Sequence, residues 1–164
     1  MPDGRTMPLE DMSESPSPAQ DLRSAAAVDR DWVLVLVAWI VAAGSTLGSL
    51  FFSHVMDFPP CILCWYQRIC LFPLAIILGR ALFPLDRDVG RYALPLAAAG
   101  WVLAAYHNLL YTGIIPADLQ PCEQGVSCTE QYLELFGLSI PLLSLLSFSI
   151  LTGILITLRK RSIA

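Results

Sequence analysis

The stretch PPCILCWYQRICLFPLAIILGR, from Pro59 to Arg80, joins an apolar run of membrane-spanning length to two cysteines and an arginine near its start. About 20 apolar residues in a helix cross a hydrocarbon core about 30 Å thick. A charge inside that core costs roughly 2.5–3.5 kcal/mol on insertion scales, so Arg68 needs a specific reason to be there. The stretch predicts a membrane helix with a chemical site near one end.

Similar runs recur along the chain of 164 residues, of which 55% are hydrophobic and 15% charged. Placing the ends where charges stop and start gives four spans. They run from about Trp32 to Val55, Ile62 to Phe83, Tyr92 to Ile115 and Phe136 to Leu158. Because no segment alternates as a strand would, the sequence predicts an all-α membrane protein, a bundle of four transmembrane helices.

The basic residues predict the orientation of this bundle, because Lys and Arg are retained on the cytoplasmic side. Apart from Arg68, they precede the first span, surround the loop between the second and third, or follow the fourth. We therefore expect both termini to be cytoplasmic and the loops around residues 57–61 and 116–135 to face outward. The residues are Arg5, Arg23, Arg30, Arg80, Arg87, Arg91, Arg159, Lys160 and Arg161.

The residues before the first span contain four prolines with scattered Asp, Glu and Ser, and no apolar run. This composition favours disorder. It also lacks the apolar core of a signal peptide, so the first span is expected to remain in the mature protein. We predict a disordered cytoplasmic tail over residues 1–30 and a transmembrane domain over residues 31–164.

Four of the five cysteines fall on the predicted outer side, as the pairs Cys61/Cys64 and Cys122/Cys128. A Cys-x-x-Cys bridge closes a small ring and removes little chain entropy, so it is a poor staple. That spacing is typical of a disulfide that opens and closes. The alternative is that both pairs permanently cross-link their loops. Cys70, inside the second span, is expected to be a small buried hydrophobe.

Two other chemistries for these cysteines are disfavoured. Zinc could be held by four thiolates, but the second pair is Cys-x5-Cys and has no histidine nearby, so we expect no metal. Covalent haem needs a histidine directly after Cys-x-x-Cys, and that position is Trp65.

Arg68 and His107 are the candidate polar groups within the spans. We expect the second helix to begin near Cys61 to Cys64, so that the helix dipole faces the Cys64 sulfur. Arg68 then lies about 6 Å deeper on the same face, where a cation could stabilise a quinone as it is reduced, unless it snorkels outward. His107 is expected either to bond a backbone carbonyl or to contact the same quinone.

These residues resemble the DsbB family of membrane thiol:quinone oxidoreductases. The matching stretches are HVMDFPPCILCWYQRICLFP from His54 to Pro73, YHNLLY from Tyr106 to Tyr111, and PCEQGVSCTEQYLELFGLSIPLLSLLSF from Pro121 to Phe148. The short spacing of the second cysteine pair resembles the compact BdbC-like branch. The resemblance covers the chain from about Trp32 to its end.

The resemblance implies an enzyme of the bacterial cytoplasmic (inner) membrane whose cysteine loops face the periplasm or exterior. It implies that a DsbA-like thioredoxin-fold donor attacks Cys122, that Cys128 attacks Cys61, and that electrons leave from Cys64 to ubiquinone or menaquinone. The expected partners are this donor, membrane lipid and quinone, and no nucleic acid is expected. The implied catalytic residues are Cys61, Cys64, Cys122 and Cys128, and the implied quinone-binding residues are Cys64, Arg68 and His107.

Two alternatives stay open at this point. A vitamin K epoxide reductase-like protein also joins a four-helix bundle to cysteine pairs, but it places its Cys-x-x-Cys late in the chain, in the reverse order. A non-catalytic membrane scaffold with two permanent disulfides would contain the same cysteines.

Overall fold

The computed structural model describes residues 18–57, 59–115, 134–135 and 138–163. Contacts divide the chain into two units, Met1–Arg30 and Asp31–Ala164. Cys122 and Cys128 lie outside the described residues. The elements are the helices α1 (Pro18–His54), α2 (Ile62–Ala81), α3 (Val89–Tyr111) and α4 (Ile140–Ile163), with the short strands β1 (Glu134–Leu135) and β2 (Leu138–Ser139) before α4.

Each of the four helices is long and apolar enough to cross a membrane. Large apolar side chains point away from the bundle, with Leu47 67%, Ile69 61% and Ile76 73% exposed. In water such a surface would be costly, whereas lipid covers it without penalty. The prediction of an all-α, four-helix membrane protein is therefore confirmed, and the chain is a multi-pass membrane protein. The small antiparallel pair, with Glu134 opposite Ser139 and Leu135 opposite Leu138, was not predicted.

Several helices begin or end at residues other than the ends of the predicted spans. Hydropathy set the predicted ends, whereas backbone hydrogen bonding sets the observed ones. α1 begins at Pro18, so residues 18–30 are helical, whereas the predicted first span begins at Trp32. This segment contains Ala25, Ala26 and Ala27, and alanine has the highest helix propensity. α4 continues through its basic residues to Ile163, because charge ends an apolar run without breaking a helix.

A glycine ends α3 before the predicted Ile115. Gly113 has φ of +73°, a left-handed conformation that glycine adopts without strain. The N–H of Gly113 donates to the Leu110 carbonyl and that of Ile114 to the Leu109 carbonyl, both at 3.1 Å. These two bonds form a Schellman motif, which satisfies the last carbonyls of the helix.

The most extensive contact between described helices is that of α3 with α4, and two glycines on α3 permit close approach there. A Cβ at Gly90 would lie 2.9 Å from the Leu155 carbonyl oxygen, and one at Gly100 would overlap the ring of Phe148. Phe148 is 1% exposed and lies in the main apolar cluster of the bundle. Small residues that let helices approach closely are a common basis of packing in membranes.

A cluster of charged residues lies at the end of the bundle opposite to the Cys61–Cys64 pair. Asp31 in α1 is 7% exposed. Its Oδ1 lies 3.0 Å from Nη1 of Arg161 in α4, and its Oδ2 lies 3.6 Å from Nε of Arg87 in the α2–α3 turn. Three separate segments of the chain are thus joined through one carboxylate.

Candidate active site

The first cysteine of the Cys-x-x-Cys motif caps helix α2. Cys61 has extended backbone, with φ of −67° and ψ of 166°, and its Sγ accepts a hydrogen bond from the Cys64 N–H at 3.4 Å. An N-cap side chain satisfies an N–H that has no partner inside the helix. The sulfur on the helix N-terminus is therefore that of Cys61. The helix starts directly after Cys61, so Cys64 lies in the first turn as predicted, and the sulfur that caps the N-terminus is that of Cys61.

The two sulfurs of this motif lie side by side in an apolar recess. Sγ of Cys61 is 2.9 Å from Sγ of Cys64, and both thiols are free. Cys61 is buried and Cys64 is partly exposed. Buried Leu63 and Leu110 surround Cys61. The pair is thus shielded from bulk water on the Cys61 side and accessible from the Cys64 side.

Cys61 lies just before the membrane span, and its pKa is held well below the usual range of a thiol. The hydrogen bond from the Cys64 side chain is the largest cause, and His107 acts in the same direction, while burial opposes both. A lowered thiol pKa favours the nucleophilic thiolate.

A hydrogen-bonded chain connects Cys61 to helices α3 and α4 through His107. Nε2 of His107 lies 4.0 Å from Sγ of Cys61, and Nδ1 lies 3.2 Å from Nε2 of Gln67. Oε1 of Gln67 accepts a hydrogen bond from Oγ of Ser144 at 2.7 Å. His107 is 3% exposed and Gln67 is 7% exposed. This chain fixes the imidazole with one nitrogen toward the sulfur and the other toward Gln67.

Arg68 lies one helical turn after Cys64 and is 8% exposed. Its Nε donates to Oγ of Ser49 at 2.6 Å and one terminal nitrogen donates to the Ser49 carbonyl at 2.7 Å. The guanidinium carbon is 5.3 Å from the centre of the Trp65 ring, a cation–π contact. Both ion pairs of the described residues involve Asp31, at the far end of the bundle. Arg68 therefore has no Asp or Glu partner in the described part of the chain.

The structure brings together part of the predicted site. Cys61, Cys64 and His107 meet in one recess, and Arg68 is buried beside them on α2 rather than extended to the surface. Cys122 and Cys128 lie outside the described residues. Cys70, 7% exposed, lies in the main apolar cluster as expected.

Three residues that orient this site were missed from the sequence: Ser49, Gln67 and Ser144. Each is a polar residue within an apolar span, and such residues usually face a partner inside the bundle. Gln67, next to Arg68 and three residues after Cys64, was the clearest of these signals. Their partners could not be predicted, because the contacts join different helices.

The fold and the recess define a class: a four-helix membrane protein with a reactive dithiol at one end of its bundle. Comparison with known proteins gives the family. The family model described as disulfide bond formation protein DsbB matches residues 30–158. The chain belongs to the DsbB family, and the resemblance found in its sequence is confirmed.

Relatives of the chain come from several bacteria. A protein of Metapseudomonas resinovorans named "Probable disulfide formation protein" is 47% identical over 133 residues, which are 80% of this chain and 92% of that protein. "Disulfide bond formation protein C" of Bacillus subtilis is 43% identical over 117 residues, 71% of this chain and 85% of that protein. A "Probable disulfide formation protein" of Deinococcus radiodurans is 41% identical over 144 residues, covering 82% and 93%. No solved structure matches the chain significantly.

Proposed function

We propose that the chain is a thiol:quinone oxidoreductase that reoxidises an extracytoplasmic, DsbA-like thioredoxin-fold donor and passes the electrons to a membrane quinone. One observation carries the proposal: a free dithiol touches a buried histidine, and a buried cation without a carboxylate partner among the described residues lies one turn along the same helix. Family membership supports a role in disulfide bond formation.

The residues around Arg68 fit a quinone. A buried guanidinium without a carboxylate partner carries a large desolvation cost, which an anionic ligand would offset. Two of its nitrogens are held by Ser49, and the third, Nη1, donates to no atom in the described part of the chain. Arg68 is thus oriented by α1 and retains one donor for a carbonyl oxygen. Arg68, His107 and Cys64 are the residues that we assign to holding the quinone.

Electrons would enter through the outer cysteine pair and leave through the inner one. The reduced donor attacks Cys122 of the Cys122–Cys128 disulfide, forms a mixed disulfide and releases Cys128 as thiolate. Cys128 attacks Sγ of Cys61 in the Cys61–Cys64 disulfide and releases the Cys64 thiolate. The second donor thiolate then resolves the mixed disulfide with Cys122 and leaves as oxidised donor.

Cys122 then attacks Cys128 in the Cys61–Cys128 disulfide, which re-forms the outer disulfide and releases the Cys61 thiolate. The inner pair returns to its disulfide when an electron pair leaves from Cys61 and Cys64. A bound quinone supplies the acceptor for those two electrons and two protons. In this step Arg68 stabilises negative charge next to Cys64. His107 holds or moves a proton at Sγ of Cys61, because its Nε2 faces that sulfur while Gln67 and Ser144 fix its ring.

We also propose that the chain lies in the bacterial cytoplasmic membrane, with both termini cytoplasmic and the cysteines outward. Support comes from the far end of the bundle, where Arg87 and Arg161 meet Asp31. Basic residues are retained on the cytoplasmic side. The loops at the cysteine end contain no Lys or Arg.

The experiment is a coupled assay with the purified full chain in detergent, a reduced thioredoxin-fold donor, and a short-chain ubiquinone or menaquinone. We expect one quinone to be reduced for each donor oxidised, with thiol trapping showing Cys61 and Cys64 cycling only when quinone is present. Cys61→Ser should abolish quinone reduction, while the matched Cys70→Ser should leave it nearly intact. A permanently cross-linked scaffold would keep both pairs oxidised and reduce no quinone, which would refute the proposal.

A further inference from the structure

We infer that the reduced Cys61–Cys64 pair and His107 form a binding site for a zinc-like divalent cation. The two Sγ atoms and a ring nitrogen of His107 all lie within 4.8 Å of one another. Cysteine and histidine are the ligands that zinc prefers, and three protein ligands leave one position for water. The inference concerns the reduced chain only, because a disulfide has no thiolates to offer.

The distances between these atoms are close to those of a tetrahedral site. Zn–S bonds of about 2.3 Å and Zn–N bonds of about 2.0–2.1 Å place two sulfurs about 3.8 Å apart and sulfur and nitrogen about 3.5 Å apart. The sulfurs are 2.9 Å apart, and Nε2 of His107 is 4.0 Å from Sγ of Cys61. These two separations need to change by less than about 1 Å, and the separation of Cys64 from His107, which is within 4.8 Å, by at most about 1.3 Å. Side-chain rotation can supply such changes.

The outer partner of a metal-bound histidine is already present. A histidine that binds metal through Nε2 carries its proton on Nδ1 and donates it to an oxygen. Gln67 faces Nδ1 at 3.2 Å, and half a turn of its amide presents Oε1 there and the NH₂ group to Ser144. Since the Ser144 hydroxyl both donates and accepts, either orientation of the amide is satisfied.

The charge of the complex suits its surroundings. Two thiolates and a neutral imidazole offset the two charges of a divalent cation, so the occupied site adds no net charge to an apolar recess. The histidine comes from α3, 46 residues after Cys61. For that reason cysteine spacing alone, which argued against four thiolates, could not predict this set of three ligands.

The functional consequence rests on the proposed function. A cation bound to both sulfurs occupies the electron pairs that the dithiol uses in exchange and in electron transfer. The metal therefore holds the inner pair reduced and inactive until it is removed. The site is a reversible inhibitory site within the active centre.

Metal binding is testable without donor or quinone, so its failure is distinct from failure of the proposed function. The probe is Co²⁺, titrated into reduced full-length protein carrying Cys70→Ser, Cys122→Ser and Cys128→Ser, which leaves Cys61 and Cys64 as its thiols. We expect one Co²⁺ per chain, with thiolate-to-cobalt charge transfer and the visible bands of tetrahedral Co²⁺, and displacement by Zn²⁺. The oxidised protein should bind none.

The ligand set is tested by variants of the two histidines in the same background. His107→Ala should weaken Co²⁺ binding by more than about tenfold. Gln67→Leu, which removes the hydrogen-bond partner of the histidine, should weaken it by about tenfold. His54→Ala, at the exposed end of α1, should bind as the parent does. Zn²⁺ should also protect Cys61 and Cys64 of the wild-type reduced chain from alkylation. This measurement does not depend on whether any substituted protein folds. No Co²⁺ binding by the reduced protein, or equal binding by the His107→Ala protein, would overturn the inference.

Discussion

Nε2 of His107 lies 4.0 Å from Sγ of Cys61, and the residue on its other side, Gln67, belongs to the same helix as the cysteine pair. The imidazole of α3 therefore lies between the N-cap residue of α2 and one residue within that helix. This relationship ties the protonation of the reactive sulfur to the packing of two helices, and the first prediction follows from it.

Replacing His107 or its orienting partner should slow quinone reduction to different extents. Proton transfer by a positioned side chain contributes about 10²–10⁴-fold, so His107→Ala should lower kcat by about 100-fold or more. Loss of a side chain that orients a histidine has an effect on the order of tenfold, which we expect for Gln67→Leu. The measurement is steady-state quinone reduction with the reduced donor.

The conservative variant separates orientation from packing. Gln67→Glu keeps an oxygen for Nδ1 of His107 and should restore most of the activity that Gln67→Leu loses. His54→Ala is the matched histidine control and should retain the wild-type rate. If Gln67→Leu and Gln67→Glu lose the same activity, Gln67 does not act through His107.

Arg68→Leu should weaken the apparent affinity for quinone while the cysteines still form their disulfides. Removal of the cation takes away a favourable contact with developing negative charge, and an increase in KM of about tenfold corresponds to about 1.4 kcal/mol. The KM for quinone and the trapped redox state of Cys61 and Cys64 are both measured. Ser49→Ala, which keeps the cation, should have a smaller effect. An unchanged KM for Arg68→Leu would remove this residue from the quinone site.

Cys64→Ser should trap the chain midway through exchange. In this variant the Cys61 thiolate attacks Sγ of Cys128 in the Cys122–Cys128 disulfide and releases the Cys122 thiolate, and without Cys64 no inner thiol resolves the resulting Cys61–Cys128 disulfide. Alkylation of the released Cys122 thiol blocks the reverse attack, and peptide mapping then detects the Cys61–Cys128 bond. Cys70→Ser serves as control and should show none. A Cys64–Cys128 bond in the complementary Cys61→Ser protein, with none in Cys64→Ser, would reverse the assigned order.

Gly100→Ala should destabilise the bundle, because its Cβ would overlap the buried ring of Phe148. Overpacking of this kind costs about 1–3 kcal/mol. The matched control is Gly153→Ala in α4, where an added Cβ meets nothing within 4 Å. Thermal or denaturant unfolding in detergent compares the two. Equal stability of both variants would show that α3 and α4 separate at Gly100 without cost.

The four spans were predictable because hydropathy is a local property and a membrane imposes a fixed length. Helix ends were less so, since hydropathy continues past Gly113 to Ile115 while the backbone turns at the glycine. The start of α1 at Pro18 likewise depends on helix propensity, which a search for apolar runs ignores.

The candidate site was predictable only where its chemistry is contiguous. Cys61, Cys64 and Arg68 are neighbours in one short motif, so their proximity followed from helix geometry. The contacts of His107 with Cys61 and of Arg68 with Ser49 depend on how α1 and α3 are rotated about their axes. That rotation is set by packing between helices, which a single sequence does not reveal. Cys61 caps α2 because the helix begins at the next residue, and a sequence does not fix a helix start to within one residue.

The position of Asp31 constrains how the protein assembles as it is synthesised. Arg161, its nearer partner, follows 130 residues later, at the end of α4. During translation the carboxylate of α1 therefore has no Arg161 beside it until the last helix has been synthesised. A chain interrupted before α4 would keep Arg87 as the described partner of this acid and lose the nearer one.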